Sequence, residues 1–345
     1  MKRRVIIYVL TFVGLCVLGG VIQYESSFLY ERPIVQVMKS EPTTEDSQKI
    51  KAVYRNTDKK GEQLQFIHYY DDGEAVQPIL RKGDQVFIEK NQTWQVVEVK
   101  RDGWLFLLVV LFAYICLLIG GKRGLYSLIS MGVNAVLLLG AVQLSQAIPQ
   151  IPLVLIMAIF CIVAGIVALL SVDGWQKNSL LKIAATFISL FLAFFICYLA
   201  MELLDDKGLR YEEIQFLTRF YRSIFLGSLL IGTLGAVIDT VITVIATLEE
   251  LVRKNPKISV KELFLSGKNV GKDVTGSMIN VLLFAYLSGA IPSVLLYLVN
   301  GWSFFSAIEM HLSLEILRAI CGAFGIVLSV PVSLGIYLVA RRKMV

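Results

Sequence analysis

The sequence predicts an α-helical polytopic membrane protein: about eight transmembrane helices, both termini cytoplasmic, and a small β-rich extracellular domain between the first and second spans. Three observations predict it. Of 345 residues, 56% are apolar and only 17% charged, against roughly 25% charged in an ordinary soluble domain. The apolar residues fall into stretches near the length of about 20 residues that crosses a hydrocarbon core about 30 Å thick. Lys and Arg collect on one side of the resulting topology. A soluble enzyme of this size has no way to hide so much apolar surface, and the same excess excludes a disordered or coiled-coil chain.

The eight stretches are 5–22, 104–120, 125–147, 152–170, 180–203, 223–248, 274–300 and 313–340. Most lack the polar face of a core helix. The last three exceed the length of one span, so tilts, kinks or projecting ends are expected there. The first follows Lys2-Arg3-Arg4 and has two readings, a signal peptide or an uncleaved anchor. Its run is long for a signal core, and its exit, Gly19-Gly20-Val21-Ile22-Gln23, lacks a small-x-small cleavage site. Residues 1–22 therefore read as an anchor, 23–102 as the extracellular domain and 103–345 as a seven-helix membrane domain.

With a cytoplasmic N-terminus, the inner segments 1–4, 121–124, 171–182, 249–273 and 341–345 hold 16 basic and five acidic residues. The short outer segments 202–222 and 301–318 hold five basic and seven acidic ones. The net charge of +6 is thus membrane orientation, and no nucleic-acid partner is expected. The lysines of 249–273 enforce that orientation. An alternative is a short surface helix there, with Val260, Leu263, Phe264 and Gly267 on one side and lysines on anionic headgroups.

Within 23–102, with 12 basic and 14 acidic residues, alternating runs recur at 34–38, 50–54, 63–70, 85–89 and 94–99. Turn signals separate them at 58–61, 71–73 and 81–84. Strands at this spacing predict a small antiparallel barrel or sandwich. Tyr54, Phe66, Tyr69, Tyr70 and Trp94 read as core, since polyanion binding would want interleaved basic residues. Asn91-Gln92-Thr93 has the form of a glycosylation acceptor, a triplet common by chance. All five cysteines, Cys16, Cys116, Cys161, Cys197 and Cys321, fall inside spans, and the two histidines, His68 and His311, lie far apart. No disulfide framework, zinc site or other metal centre is expected, nor any cofactor or catalytic residue.

Ionisable groups at membrane depth are functional candidates. On the sixth span Gly232, Gly235, Asp239, Thr243, Ala246 and Glu250 recur at spacings of three and four and share one helical face. Asp239 lies nine residues from residue 248, about 13 Å deep. On the seventh, Gly267 and Gly271 lead into Asp273, Gly276, Ser277 and Asn280, which puts Asn280 about 10 Å beyond Asp273. Asp239 and Asn280 are expected at similar depth if the two helices pack. On the eighth, Glu315 and Arg318 are spaced to pair near the outer surface, followed by Gly322, Gly325 and Ser329. One reading makes Asp239, Thr243, Asn280 and Asp273 a solute or proton path. The other makes them polar glue between helices, with Gly232, Gly235, Gly271, Gly276, Gly322 and Gly325 as packing contacts. An intramembrane aspartyl protease is disfavoured, since neither Asp239 nor Asp273 sits in a Gly-x-Gly-Asp setting.

Gly232-Thr233-Leu234-Gly235-Ala236-Val237-Ile238-Asp239 with Glu249-Glu250-Leu251 resembles a hallmark of the YibE/F family of bacterial membrane proteins. So do Glu262-Leu263-Phe264, Gly267 and the run from Gly271 to Asn280. Ala285-Tyr286 with Gly289, and Glu315, Arg318, Gly322 and Pro331, fit it too. The resemblance covers roughly 75–345; Lys272 stands where the family commonly carries Arg, which keeps the charge and loses the planar fork. It implies a multi-pass plasma-membrane protein with a β-rich outer domain, paired with a shorter paralogous subunit, and no particular activity. Two functions follow as expectations: a permease-like component with a polar path at Asp239 and Asn280, or a non-transporting assembly module working with a paralogue or a second copy. No enzyme is expected.

Overall fold

The computed structural model describes residues 2–44, 46–70, 78–90, 93–174, 178–213 and 221–342. The turn expected at 71–73 and Asn91 of the acceptor triplet lie outside them. The chain divides into two compact units, Met1–Gly121 and Lys122–Val345.

In the first unit, helix α1 (Lys2–Glu25) precedes strands β1 (Ile34–Thr44), β2 (Ser47–Tyr54), β3 (Gln63–Tyr69), β4 (Gln85–Lys90) and β5 (Trp94–Val99). All five expected runs are strands, with β1 and β2 extended into one hairpin. They form a single antiparallel sheet in the order β3-β2-β1-β4-β5, with pairs Val35↔Tyr54, Ile50↔Phe66, Val35↔Val86 and Val86↔Val99. Alternation aims Ile50, Ala52 and Tyr54 inward and Lys49 and Lys51 outward. Register shifts between Val37 and Lys39 and between Phe87 and Ile88 mark bulges, which increase strand twist. The sheet therefore curls around one core: Val35, Val37, Ile50, Tyr54, Phe66, Leu80, Val86 and Ile88, closed by Trp94 and Val96. Its outer strands β3 and β5 approach within 8 Å between Cα atoms without hydrogen-bonding. The arrangement is a nearly closed barrel, and no second sheet exists among the described residues.

Two turns carry the backbone geometry read from sequence. Gly61 (φ 92°) ends the 58–61 turn and Gly83 (φ 100°) is the third residue of the 81–84 turn, where Arg81 N–H donates to the Asp84 carboxylate at 2.7 Å. Buried Asn56 accepts from Ile34 N–H and donates to the carbonyls of Tyr30 and Arg32, fixing the entry into β1.

Helix α2 (Asp102–Ala147) has 46 residues and holds both the 104–120 and 125–147 stretches, with a non-helical break at Gly121 (φ 54°, ψ −128°). The helices that follow are α3 (Leu153–Asp173), α4 (Ser179–Leu203), α5 (Tyr221–Lys254), α6 (Val260–Val299) and α7 (Phe304–Arg342). Among the described residues six helices, α2 to α7, are long and apolar enough to cross a membrane; the described apolar part of α1, Thr11–Glu25, is shorter. In the second unit α7 packs against α4, α5 and α6. As expected, α5, α6 and α7 outrun one span, at 34, 40 and 39 residues.

The 249–273 segment forms no separate surface helix. Its first residues continue α5, and its last open α6 through a capping box in which Ser259 and Glu262 satisfy each other's backbone N–H. Leu263 and Gly267 turn inward, while Val260 and Phe264 are exposed.

Candidate functional site

Asp239 sits 18 residues from the start of α5 and 15 from its end; Asn280 sits 20 and 19 residues from the ends of α6. Both lie near mid-helix. The structure does not bring their side chains together. Asn280 Nδ2 donates to the Gly276 carbonyl at 3.0 Å, and Thr243 Oγ1 to the Asp239 carbonyl at 2.8 Å. Thr243 Oγ1 and Asn280 Nδ2 thus each bond within their own helix.

Asp239, Thr243, Asp273 and Asn280 are all exposed. They line an open face, not an enclosed path within one chain. The periodicity correctly identified one face of α5, yet the buried faces of that helix carry Thr233, Val237, Thr240, Val244 and Leu248.

The six glycines divide accordingly. A Cβ on Gly325 would lie 2.7 Å from Val237 Cγ2 and 2.8 Å from Thr233 Cγ2. Gly232 abuts Tyr286, Gly271 abuts Val330 and Gly322 abuts Leu282, each so closely that a Cβ would force its neighbour to shift. Gly235 and Gly276 meet nothing within 4 Å. Both are exposed, as Asp239 and Asn280 are, so within the chain neither is a close contact between helices.

The Glu315–Arg318 ion pair forms. Arg318 also donates to Ser228 Oγ at 3.3 Å, and its guanidinium carbon lies 5.5 Å from the Phe225 ring centroid and 5.6 Å from that of Tyr286. Two aromatic faces and one carboxylate thus hold a cation at the meeting of α5, α6 and α7.

Two buried lysines leave little mark in the sequence pattern beyond their charge. Lys182 on α4, 4% exposed, pairs with Glu249 of α5 at 3.4 Å. Lys100, with a fully buried side chain, donates to the carbonyls of Gln23 (2.6 Å) and Ile22 (3.4 Å) and faces Asp102 at 3.5 Å. Burial lowers the Lys100 ammonium from its ordinary range, partly offset by Asp102. Gln23 completes the junction by donating to Lys100 O and accepting from Gly103 N–H. A break in alternation at the end of β5 was the available signal. His68, 4% exposed, bonds Pro78 O at 3.0 Å, and burial lowers its imidazole. No group of three or more His, Cys, Asp or Glu side chains placed to hold a metal exists among the described residues.

A family model described as YibE/F-like protein matches residues 108–343, and one described as YibE/F family N-terminal domain matches 28–100. The second match carries the likeness across the sheet domain, beyond the 75–345 seen in the motifs. Comparison with curated proteins found no match, and neither did comparison with solved structures.

Proposed function

The chain belongs to the YibE/F family, and from that premise we propose that it is one subunit of a permease-like complex in the bacterial plasma membrane. A second chain, a paralogue or another copy, covers the Asp239 face. The observation that carries this reading is an exposed carboxylate, with Asn280 level with it, at the middle of two helices of spanning length. A carboxylate facing acyl chains costs about 2.5–3.5 kcal/mol on insertion scales. A facing polar helix or a watered seam between two chains removes that cost. Gly235 and Gly276, open on the same face, let a neighbouring helix approach closely.

In this reading the chain crosses eight times: once with α1 as an uncleaved anchor, twice with α2 and once with each later helix. An unbroken α2 would measure about 69 Å, twice a hydrocarbon core; the Gly121 break supports a separate crossing on each side of it. The basic inner segments support cytoplasmic termini and an extracellular 23–102 domain. The complex passes a solute or proton along the seam, and no reaction chemistry is assigned to it.

The test has two arms. Gly235→Cys and Gly276→Cys in full-length protein in native membranes are expected to crosslink to a second chain through a short bifunctional thiol reagent. Absence of any crosslinked species, with the protein monomeric by native mass spectrometry, sinks the oligomeric reading. Purified complex in liposomes is then screened for proton flux. Loss of flux in Asp239→Asn supports the path; crosslinking with flux indistinguishable from the variant's leaves an assembly module that does not transport.

A further inference from the structure

A second set of polar groups lies inside Lys122–Val345, apart from the Asp239 face. On α4, Lys182, Thr186, Ser189, Ala193 and Cys197 recur at spacings of three and four, share one face and are all buried. On α7, Cys321, Gly325, Ser329, Ser333 and Tyr337 recur every four residues and are buried as well. The two faces meet. Cys321 Sγ lies 4.0 Å from Ala193 O, and a Cβ on Gly325 would lie 3.8 Å from Ala193 Cβ. Leu334 and Tyr337 share a cluster with Ala185, while Cys321 shares one with Cys197. The helices therefore run antiparallel, with Ser329 across from Ser189, Ser333 from Thr186 and Tyr337 from Lys182.

Polar glue between membrane helices bonds to a neighbour or to its own backbone, as Thr233 and Thr240 do. Ser329, which donates to Ile326 O at 2.7 Å, and Cys321, which meets Ala193 O and Thr233 Oγ1, follow that pattern, but three hydroxyls of the column do not. Thr186 Oγ1, Ser189 Oγ and Ser333 Oγ are fully buried, and none has a partner among the described residues. At the same end Glu249 pairs with Lys182 through one carboxylate oxygen, and its other oxygen is buried without a partner. A cavity of about 280 Å³, lined by Asn178, Leu181, Val252, Tyr337 and Arg341 among others, opens beside Tyr337. Of the column, Tyr337 lines that cavity, and buried hydroxyl and carboxylate oxygens without a protein partner are what ordered water satisfies. At the far end there is no room: Val237 and Thr233 close on Gly325.

We propose that this column is a water-filled half-channel, entered past Tyr337 from the end where α5 meets α6 and closed at Gly325. Beyond the closure, Thr233, Cys197 and Cys321 lead toward the Ser228–Arg318–Glu315 cluster, the polar side chains of the other half. Parting α7 from α5 at Gly325 joins the two halves. A closure between two polar halves is the geometry that alternating access requires.

The experiment uses full-length protein in membrane vesicles, with native cysteines replaced by alanine except where stated. Silver ion, thiophilic and close to water in size, is the probe. Ser189→Cys and Ser333→Cys are expected to react about tenfold faster than a chain retaining only Cys161, since a dry buried thiol reacts only through local opening. Equal rates at all three overturn the proposal. A chain retaining only Cys321 is expected to react as slowly as Cys161 from the Tyr337 side; reaction as fast as Ser333→Cys overturns the closure. Wild-type protein supplies a test independent of substitution. Under hydroxyl-radical footprinting, Leu334, 2% exposed beside the column, is expected to be modified above Leu230, 1% exposed in an apolar cluster. Equal modification overturns the half-channel.

Discussion

Lys100 Nζ lies 2.6 Å from the carbonyl oxygen of Gln23, so a cation between β5 and α2 closes the last turn of α1. Helix C-termini leave carbonyls without intrahelical donors, and an ammonium satisfies them while complementing the negative end of the helix dipole. A Cβ on Gly103 would lie 2.6 Å from Gly19 O, so α1 and the start of α2 are in direct contact at this junction. Replacing Lys100 with Met keeps the stem and removes the charge, so the Gln23 carbonyl loses this donor and Asp102 its cation, while Ser26 Oγ still donates to Ile22 O and to Asp102. The expected cost is about 2–3 kcal/mol, read as a lower thermal midpoint and faster hydrogen exchange in peptides covering 20–25.

Gly325 and Gly235 make a matched pair of substitutions. Alanine at Gly325 drives a methyl into Val237 and Thr233 and is expected to destabilise by about 1–3 kcal/mol through overpacking. Alanine at Gly235 meets nothing inside the chain and gains helix propensity of about 0.5–1 kcal/mol. Thermal unfolding of the two variants in one detergent should shift in opposite directions. A destabilised Gly235→Ala monomer would remove Gly235 from the open face.

Arg318 is caged by Phe225, Tyr286 and Glu315. Arg318→Gln leaves Glu315 half-buried and unpaired, an expected loss of about 1.5–3 kcal/mol. Arg318→Lys keeps the charge and loses the planar stack and fork, so it should recover only part of that loss. Full rescue by Lys, measured by thermal unfolding, would mean that the ring contacts contribute nothing.

His68 gives the sheet domain a pH dependence of defined sign. Burial lowers its imidazole, against the opposing pull of the Pro78 carbonyl. Between the unfolded value of about 6.5 and that depressed value, the unfolded chain binds the extra proton. Stability contributed by the neutral ring is present above pH about 6.5 and falls as pH drops through that window, by up to about 1.4 kcal/mol per pH unit. Hydrogen exchange of β3 in the full chain should accelerate on going from pH 7 to 5, after correction for intrinsic rates. His68→Gln should flatten that response.

The apolar runs and alternations disclosed most of the secondary structure, because chain length across hydrocarbon and two-residue periodicity across a curled sheet are local properties. What escaped was which side of a periodic helix is buried. On α5 the Gly235–Asp239–Thr243 face and the Thr233–Val237–Thr240 side both recur at helical spacing. In lipid, apolar character does not mark the inside as it does in water, because the acyl chains are as apolar as the core. Lys100 and Lys182 escaped for a related reason. A charge count assigns them to loops, and only their distant partners, Gln23 and Glu249, reveal that both are buried.

The strand order has a consequence for synthesis. β1 is the central strand and the first to emerge, yet its second partner, β4, comes after β3 has already paired. From Tyr69 to Lys90 the ribosome adds 21 residues, about one to four seconds of elongation. Throughout that interval the Ile34–Gln36 edge, later matched to Gln85–Phe87, offers unpaired backbone to any other extended segment. A chaperone acting on this sheet during synthesis therefore has a defined moment and a defined edge to guard.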